Sequence, residues 1–176
     1  LAGNPNCGKT SMFNELTGAK QHVGNWPGVT VEKKEGNLKF EGRDLTVVDL
    51  PGTYSLGAYS EDEVVACNFI LKDKPDVVIN VIDSTNLERN LYLTMQLLET
   101  GAKVILALNM TDEAKKKNIQ INIKELSKQL NLTIIPTVAP KGEGIKELIK
   151  EAIKLSDQNK NNVYKVDYRS EERRVG

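Results

Sequence analysis

The chain has 176 residues, which is enough for one domain with a single hydrophobic core. Its 24 basic and 24 acidic residues balance, so charge gives no reason to expect binding to nucleic acid or to an anionic membrane surface. Only two cysteines occur, which argues against a disulfide scaffold and favours a reducing compartment.

Apolar periodicity and turn residues predict strands that alternate with helices along the chain. Strands are predicted at residues 1–2, 30–40, 45–48, 77–82, 104–108 and 132–135. Helices are predicted at 10–17, 60–71, 87–98, 123–130 and 145–153, with irregular loops at 19–29 and 50–60. We therefore expect an α/β fold with a mostly parallel six-stranded sheet, one antiparallel edge strand at 30–40, and helices on both faces.

The first predicted strand leads into a segment of the form G-x-x-x-x-G-K-[ST], the phosphate-binding loop. Two glycines permit the tight turn, the N–H groups between them point toward phosphate oxygens, and the next helix directs its positive end at the same place. We expect Lys9 to reach the β- and γ-phosphates of a nucleoside triphosphate and Thr10 to bind Mg²⁺. The predicted nucleotide contacts are Gly3, Asn4, Pro5, Asn6, Cys7, Gly8, Lys9, Thr10 and Ser11, with Cys7 interpreted as a small tolerated residue.

Two loops are expected to meet the γ-phosphate, because ligands of such sheets bind beyond the carboxyl ends of the strands. Asp49 ends a buried strand, so its carboxylate would hold Mg²⁺ through water, and the N–H of Gly52 would contact the γ-phosphate. In the first loop, Thr30 would complete the Mg²⁺ shell. The predicted contacts of the two loops are Gly28, Val29, Thr30, Asp49, Pro51 and Gly52.

The segment after strand 104–108 predicts guanine specificity. Asn109 and Met110 precede Asp112, whose carboxylate would accept the N1 and N2 donors of guanine; adenine lacks this donor pair. Asn109 is expected to hold the adjacent loops together, and the N–H of Ala139 to donate to guanine O6. Val138 stands where serine is usual, so a hydroxyl cap is lost.

Catalysis leaves alternatives open. Thr53 follows Gly52 where many GTPases carry a water-orienting glutamine, so that group must be backbone, another residue or a partner. Asn6 is either a turn-former or a ligand that holds K⁺ where other proteins use an arginine finger. The expected catalytic residues are Asn6, Lys9, Thr30 and Gly52.

These motifs resemble the cytoplasmic GTPase domain of the ferrous iron transport protein B (FeoB) family. The specific part is Gly-Asn-Trp-Pro-Gly-Val-Thr-Val-Glu at 24–32, joined to the phosphate loop and to Asp-Leu-Pro-Gly-Thr-Tyr-Ser-Leu at 49–56. Related Era-type and tRNA-modification GTPases usually carry Pro-Gly-Thr-Thr in the first loop. The likeness predicts a Ras-like GTPase domain over residues 1–155 that lacks the start of its first strand. Residues 156–176 are expected to be a residual linker and a non-native tail.

The resemblance implies a slow, K⁺-stimulated GTPase that uses GTP or GDP, Mg²⁺ and K⁺ and gates ferrous iron uptake. By motif match, Asn6 would bind K⁺ with main-chain oxygens of Gly24 and Trp26, and the family's acidic pair would fall on Glu61 and Asp62. The implied partner is the membrane transport domain of the full-length chain, at the cytoplasmic face of a bacterial inner membrane; a homo-oligomer is a further candidate, and no nucleic acid is expected. Two alternatives stay open, an RNA- or ribosome-associated assembly GTPase and a non-hydrolysing GTP sensor.

Overall fold

The computed structural model describes residues 1–18 and 20–158. Its strands are β1 (Ala2–Gly3), β2 (Gln21–Asn25), β3 (Glu32–Phe40), β4 (Arg43–Asp49), β5 (Val78–Asp83), β6 (Val104–Asn109) and β7 (Ile134–Pro136). Its helices are α1 (Lys9–Thr17), α2 (Glu61–Asn68), α3 (Leu87–Glu99), α4 (Thr111–Lys116), α5 (Ile123–Leu130) and α6 (Ile145–Ser156). A π-helical stretch (Phe69–Asp73) continues α2, and a 3₁₀ turn (Ala139–Lys141) follows β7.

Two sheets meet at the strand that feeds the phosphate loop. Four parallel strands have the order β1-β5-β6-β7, and three antiparallel strands have the order β2-β3-β4. The amino group of Leu1 donates to the Val48 carbonyl (2.6 Å), and the N–H of Leu50 donates to the Leu1 carbonyl (3.0 Å). Because β4 thus lies beside β1, its last residue, Asp49, reaches the phosphate loop.

The parallel sheet is covered on both faces, and β6 shows why. Val104, Leu106 and Leu108 pack into a cluster with α2, α3 and α5. Ile105 and Ala107, on the opposite side of the strand, pack into a second cluster with α1 and α6. All five side chains are buried. A continuous apolar run is what a central parallel strand needs, and it holds the loops at its carboxyl end on a rigid base.

The expected α/β fold, with a parallel sheet, an antiparallel part and helices on both faces, is confirmed. The strand count differs, since the described residues form seven strands in two sheets, and β2 lies within the predicted loop at 19–29. All five β2 residues are exposed, so the strand has no apolar alternation and is held by its pairing with β3, from Gln21–Gly36 to Asn25–Glu32. Helix α4 was also not predicted, because only Ala114 of its six residues is buried.

The carboxyl-terminal boundary is only partly described. Helix α6 ends at Ser156, and the expected tail lies outside the described residues from 159 onward. The domain boundary at 155 therefore stays a prediction. Within residues 1–18 and 20–158, every helix is too short or too polar to cross a bilayer.

Candidate functional site

The phosphate loop runs from β1 to α1, and close packing fixes its two glycines. Gly8 has φ +88° and caps the N-terminus of α1, where a Cβ would overlap Nδ2 of Asn109. A Cβ on Gly3 would lie 2.6 Å from the Val81 carbonyl oxygen. Asn6 has a left-handed backbone (φ +64°) and an exposed side chain. The motif's glycines are thus required by the neighbouring loop and strand as well as by the turn.

Cys7 lies on the buried side of the loop. It is 1% exposed, and burial raises the pKa of its thiol to about 11. The thiol packs with the apolar cluster between the sheet and helices α1 and α6. No group of three or more His, Cys, Asp or Glu side chains in the described part could hold a metal ion. Cys7 is therefore a neutral packing residue, as its small size indicates.

Lys9, predicted to bind phosphate, and Asp49, predicted to hold Mg²⁺, form an ion pair. Lys9 Nζ lies 2.6 Å from Asp49 Oδ1, and the side chains are 11% and 8% exposed. Removing either partner of such a pair leaves a buried charge without compensation. Thr10 is exposed and Ser11 half-buried in the first turn of α1. The fold thus brings the predicted phosphate lysine to the predicted Mg²⁺ carboxylate.

Asn109 joins three segments of the site. Its Nδ2 donates to the Cys7 carbonyl in the phosphate loop (3.1 Å). Its Oδ1 accepts the N–H of Ala139 (3.0 Å) and the hydroxyl of Thr137 (3.2 Å). The side chain is 1% exposed, so these bonds are shielded from water. The Ala139 N–H, expected to donate to guanine O6, donates to Asn109 here, and its guanine contact stays a prediction.

Asp112 lies at the start of α4, after Met110 in a left-handed conformation (φ +60°). Its Oδ2 is 3.0 Å from Nζ of Lys141, and its Oδ1 accepts the N–H of Glu113 (3.0 Å). The hydrogen bond from Lys141 lowers the pKa of the Asp112 carboxyl below its ordinary value. Lys141 was not predicted as a site residue. Lysine in a Gly-rich turn gives no signal in the sequence.

The Trp26 segment (residues 24–31) is packed on its own domain. The Trp26 ring is 8% exposed and meets Phe69 edge-on at a centroid distance of 5.4 Å. The ammonium of Lys33 lies 5.0 Å from the Trp26 ring centroid. Thr30 is exposed, and no hydrogen bond or ion pair between described residues joins residues 28–30 to the phosphate loop. The predicted nucleotide contacts of Gly28, Val29 and Thr30 therefore stay predictions.

The Gly52 segment (residues 50–60) contacts the phosphate loop directly. A Cβ on Gly52 would lie 3.3 Å from Pro5, and the N–H of Thr53 donates to the Gly3 carbonyl (3.2 Å). At the far end of the segment, Glu63 accepts from the Ser55 hydroxyl (2.9 Å) and the Tyr59 N–H (3.2 Å).

The acidic pair assigned by resemblance, Glu61 and Asp62, is exposed in the first turn of α2. The contacts with Ser55 and Tyr59 of the Gly52 segment come from the next residue, Glu63, and the role of the acidic pair stays a prediction. The sequence signal of Glu63 was the capping pattern, because Ser60 at the N-cap accepts the Glu63 N–H (3.2 Å).

Helix α3 supports both the phosphate loop and the Gly52 segment. The Arg89 carbonyl accepts from Nδ2 of Asn4 (3.4 Å), and the Arg89 guanidinium lies 4.2 Å from the ring centroid of Tyr54. Gln96 Oε1 accepts the N–H of Leu56 (2.7 Å). Helix α3 therefore contacts both loops.

A phosphate loop after β1, a carboxylate at the end of β4 and an Asn–Asp motif after β6 define a P-loop GTPase domain. The sequence pattern described as ferrous iron transport protein B matches residues 1–152. The chain belongs to the ferrous iron transport protein B family.

The known relatives are closely similar. The Fe(2+) transporter FeoB of Escherichia coli (strain K12) is 54% identical over 165 residues, which make up 92% of this chain and 21% of that protein. The cytosolic domain of T. maritima FeoB in GDP form I aligns with a TM-score of 0.90 at 48% identity, over 95% of this chain and 65% of that one. The G domain of T. maritima FeoB gives 0.83 at 50% identity, over 88% and 95%. The chain thus spans about a fifth of the curated relatives and nearly all of an isolated G domain.

Proposed function

We propose that this chain is the GTP-binding and GTP-hydrolysing switch of a longer ferrous iron transporter. The observation that carries the nucleotide part is the position of Asn109. This residue bonds the phosphate loop to the segment after β7, and it lies three residues before Asp112 in the sequence. The transport part rests on the family and on the relatives named Fe(2+) transporter. The proposed partner is the membrane domain of the same full-length chain, at the cytoplasmic face of the inner membrane, where the nucleotide state would gate iron passage. Self-association remains a further proposal, and nucleic acid is not among the proposed partners.

Hydrolysis would rely on placement and charge. Thr53 is 5% exposed and its N–H is bonded to Gly3, so its side chain is badly placed to orient water. Lys9, the Gly52 N–H and Thr30 would stabilise the charge that develops on the γ-phosphate. Because Thr30 belongs to the Trp26 segment, that segment has to move toward the phosphates. Slow turnover is expected from this requirement and from the missing glutamine.

The donor set fits Mg²⁺, which proteins bind through one or two carboxylates together with substrate phosphates. Thr10, Thr30 and Asp49 would hold the ion. Bound there, Mg²⁺ would neutralise charge on the β- and γ-phosphates. Asp49 has to leave Lys9 first, and Lys9 is then free to bind the phosphates.

K⁺ is the proposed substitute for an arginine finger. Asn6 is exposed beside the phosphates' expected position and offers a neutral oxygen. The main-chain oxygens of Gly24 and Trp26 would complete the site. In the present arrangement the Trp26 carbonyl accepts the Val29 N–H (3.3 Å). That bond uses one of the two acceptor positions of the Trp26 carbonyl, and K⁺ would use the other.

The test is phosphate release from GTP in KCl and in NaCl, for the wild type and for Asn6→Ala. We expect KCl to accelerate the wild type relative to NaCl, because K⁺ would supply the charge that an arginine finger supplies elsewhere. Asn6→Ala should abolish the difference, because the neutral oxygen is lost. Asn118→Ala is the matched control, since Asn118 is also an exposed asparagine with a left-handed backbone (φ +56°).

Each alternative predicts a different result. Tight GTP binding with no phosphate release in either salt would support the sensor and contradict a hydrolase. Co-purification of RNA at physiological salt would support the assembly factor. Equal rates in KCl and NaCl would make Asn6 an ordinary turn residue.

A further inference from the structure

The carboxylate assigned to guanine is held by two donors on the protein. Lys141 Nζ donates to Oδ2 of Asp112, and the Glu113 N–H donates to Oδ1, each at 3.0 Å. An ionised carboxylate offers about four acceptor positions, two on each oxygen. One position on each oxygen therefore remains, which matches the N1–H and N2–H donors of one guanine base.

The second observation is the residue at 138. The usual serine hydroxyl is replaced by Val138, which is 4% exposed and has no polar side-chain atom. Lys141 lies three residues further on, at the end of the 3₁₀ turn, and donates to the same carboxylate. The turn places it there, since the N–H of Lys141 donates to the Val138 carbonyl (3.0 Å).

We propose that Lys141 is a positioning residue of the guanine site, which fixes the plane of the Asp112 carboxylate so that both oxygens meet the base. This inference rests on the proposed function. It assigns Lys141 no contact with the nucleotide. The lysine acts through Asp112 and replaces the hydroxyl cap that Val138 lacks.

We expect Lys141 to contribute to the orientation of the Asp112 carboxylate and not to the stability of the fold. The two side chains are 56% and 25% exposed, and ion pairs this exposed stabilise folded proteins little. Lys116 provides the contrast. It lies on α4 near Asp112 and bonds to Glu113 Oε1 (2.7 Å), so it contributes charge without a hydrogen bond to Asp112.

The experiment compares binding of GDP and of inosine diphosphate, which lacks the 2-amino group, by calorimetry. Wild type, Lys141→Met, Lys141→Arg and the control Lys116→Met are measured. Lys141→Met should weaken GDP binding about fivefold and inosine diphosphate binding less, because a rotated carboxylate keeps N1–H and loses N2–H. The preference for GDP therefore falls. Lys141→Arg should stay near wild type, and Lys116→Met within about twofold.

The possible outcomes distinguish failure of the proposed function from failure of the role assigned to Lys141. A wild type that binds neither nucleotide would overturn the proposed function. A wild type that binds GDP while Lys141→Met keeps the same GDP preference would overturn this inference alone. If Lys141→Met loses the same affinity for both nucleotides, Lys141 has a structural role. If Lys116→Met loses as much affinity as Lys141→Met, the effect is one of general charge. Either result contradicts positioning. Unfolding midpoints of the variants verify that the fold is retained.

Discussion

Asn109 shows how much one side chain can determine in this site. Its amide nitrogen donates to the phosphate loop, its amide oxygen accepts two bonds from the segment after β7, and all three bonds are buried. Buried bonds of this kind cost free energy when one partner is removed, because the other is left unsatisfied. Gly8 packs against the same amide, so the phosphate loop and Asn109 constrain each other.

Cys7 should make stability depend on pH in the alkaline range. Burial raises the pKa of its folded thiol to about 11, whereas an unfolded cysteine ionises near about 8.5. As pH rises between these values, the unfolded state loses the proton first, so the free energy of unfolding falls. Its contribution is fully present below the unfolded pKa and is lost toward about 11, by about 3 kcal/mol in total.

Denaturant titrations from pH 8 to 10.5 measure this slope. Cys7→Ala should have a flatter profile than the wild type. Cys67→Ala, at the partly exposed second cysteine, is the control and should keep the wild-type slope. Identical slopes for wild type and Cys7→Ala would contradict a buried neutral thiol.

At the residue scale, the sequence predicts those site residues that lie at a fixed number of positions after a strand. The glycines, Lys9, Asp49 and Asn109 follow strands at set distances, and the fold places them at one edge of the sheet. Spacing marks Glu63 only as a capping residue of α2 and assigns Lys141 no role, because a long side chain reaches its other partners only when two loops have packed. Whether the nucleotide uses each predicted residue as expected stays a prediction.

At the scale of elements, the Trp26 segment is joined to the end of α2 by an aromatic pair. Trp26 is the only tryptophan in the chain, so tryptophan emission reports on the surroundings of this one ring. Phe69→Ala should shift the emission to longer wavelength by exposing the indole to water. The unfolding free energy should fall by about 1–2 kcal/mol, since Phe69 is only partly buried.

The same emission tests the movement of the segment. On addition of a non-hydrolysable GTP analogue with Mg²⁺ and K⁺, the wild type should shift in the same direction, and Phe69→Ala should change little further. Phe40→Ala is the control, because Phe40 is partly buried on the opposite face of the sheet. It should destabilise the protein and leave the Trp26 emission unchanged. An unshifted wild type would contradict departure of Trp26 from Phe69.

Elements were predictable where burial selects apolar side chains, on one face or on both. The apolar run at 104–108 and the 3.6-residue pattern of α6 are recognisable in the sequence, because burial selects apolar residues at those positions. Strand β2 was missed because its five residues are all exposed and its stability comes from backbone bonds to β3. Patterns of apolar side chains carry no information about such a strand.

At the scale of the whole molecule, one exposed contact joins the β3–β4 hairpin to the end of α6. Arg43 donates two parallel hydrogen bonds to Asp157, each 2.8 Å long. Arg43→Met should lower the denaturation midpoint slightly, and Arg43→Lys should recover part of the loss, because an ammonium cannot form both bonds in this geometry. The differences should shrink at about 1 M salt, which screens exposed charges.

A second pair on the same hairpin is the matched control. Lys39 and Asp44 are 3.6 Å apart and each 80% exposed, so Lys39→Met should have no measurable effect. Equal midpoints for Arg43→Met and the wild type would show that the Arg43–Asp157 contact does not anchor α6.

The Lys9–Asp49 ion pair makes the proposed site electrically neutral before any ligand arrives. In the proposed function, nucleotide binding would exchange counter-ions: Lys9 would pass to a phosphate and Asp49 to a divalent cation. A phosphate that arrived alone would leave the buried carboxylate unpaired, and a cation that arrived alone would leave the lysine unpaired; breaking a buried ion pair in this way costs about 3–5 kcal/mol. Nucleotide and divalent cation should therefore bind most favourably together, as the chelated nucleotide.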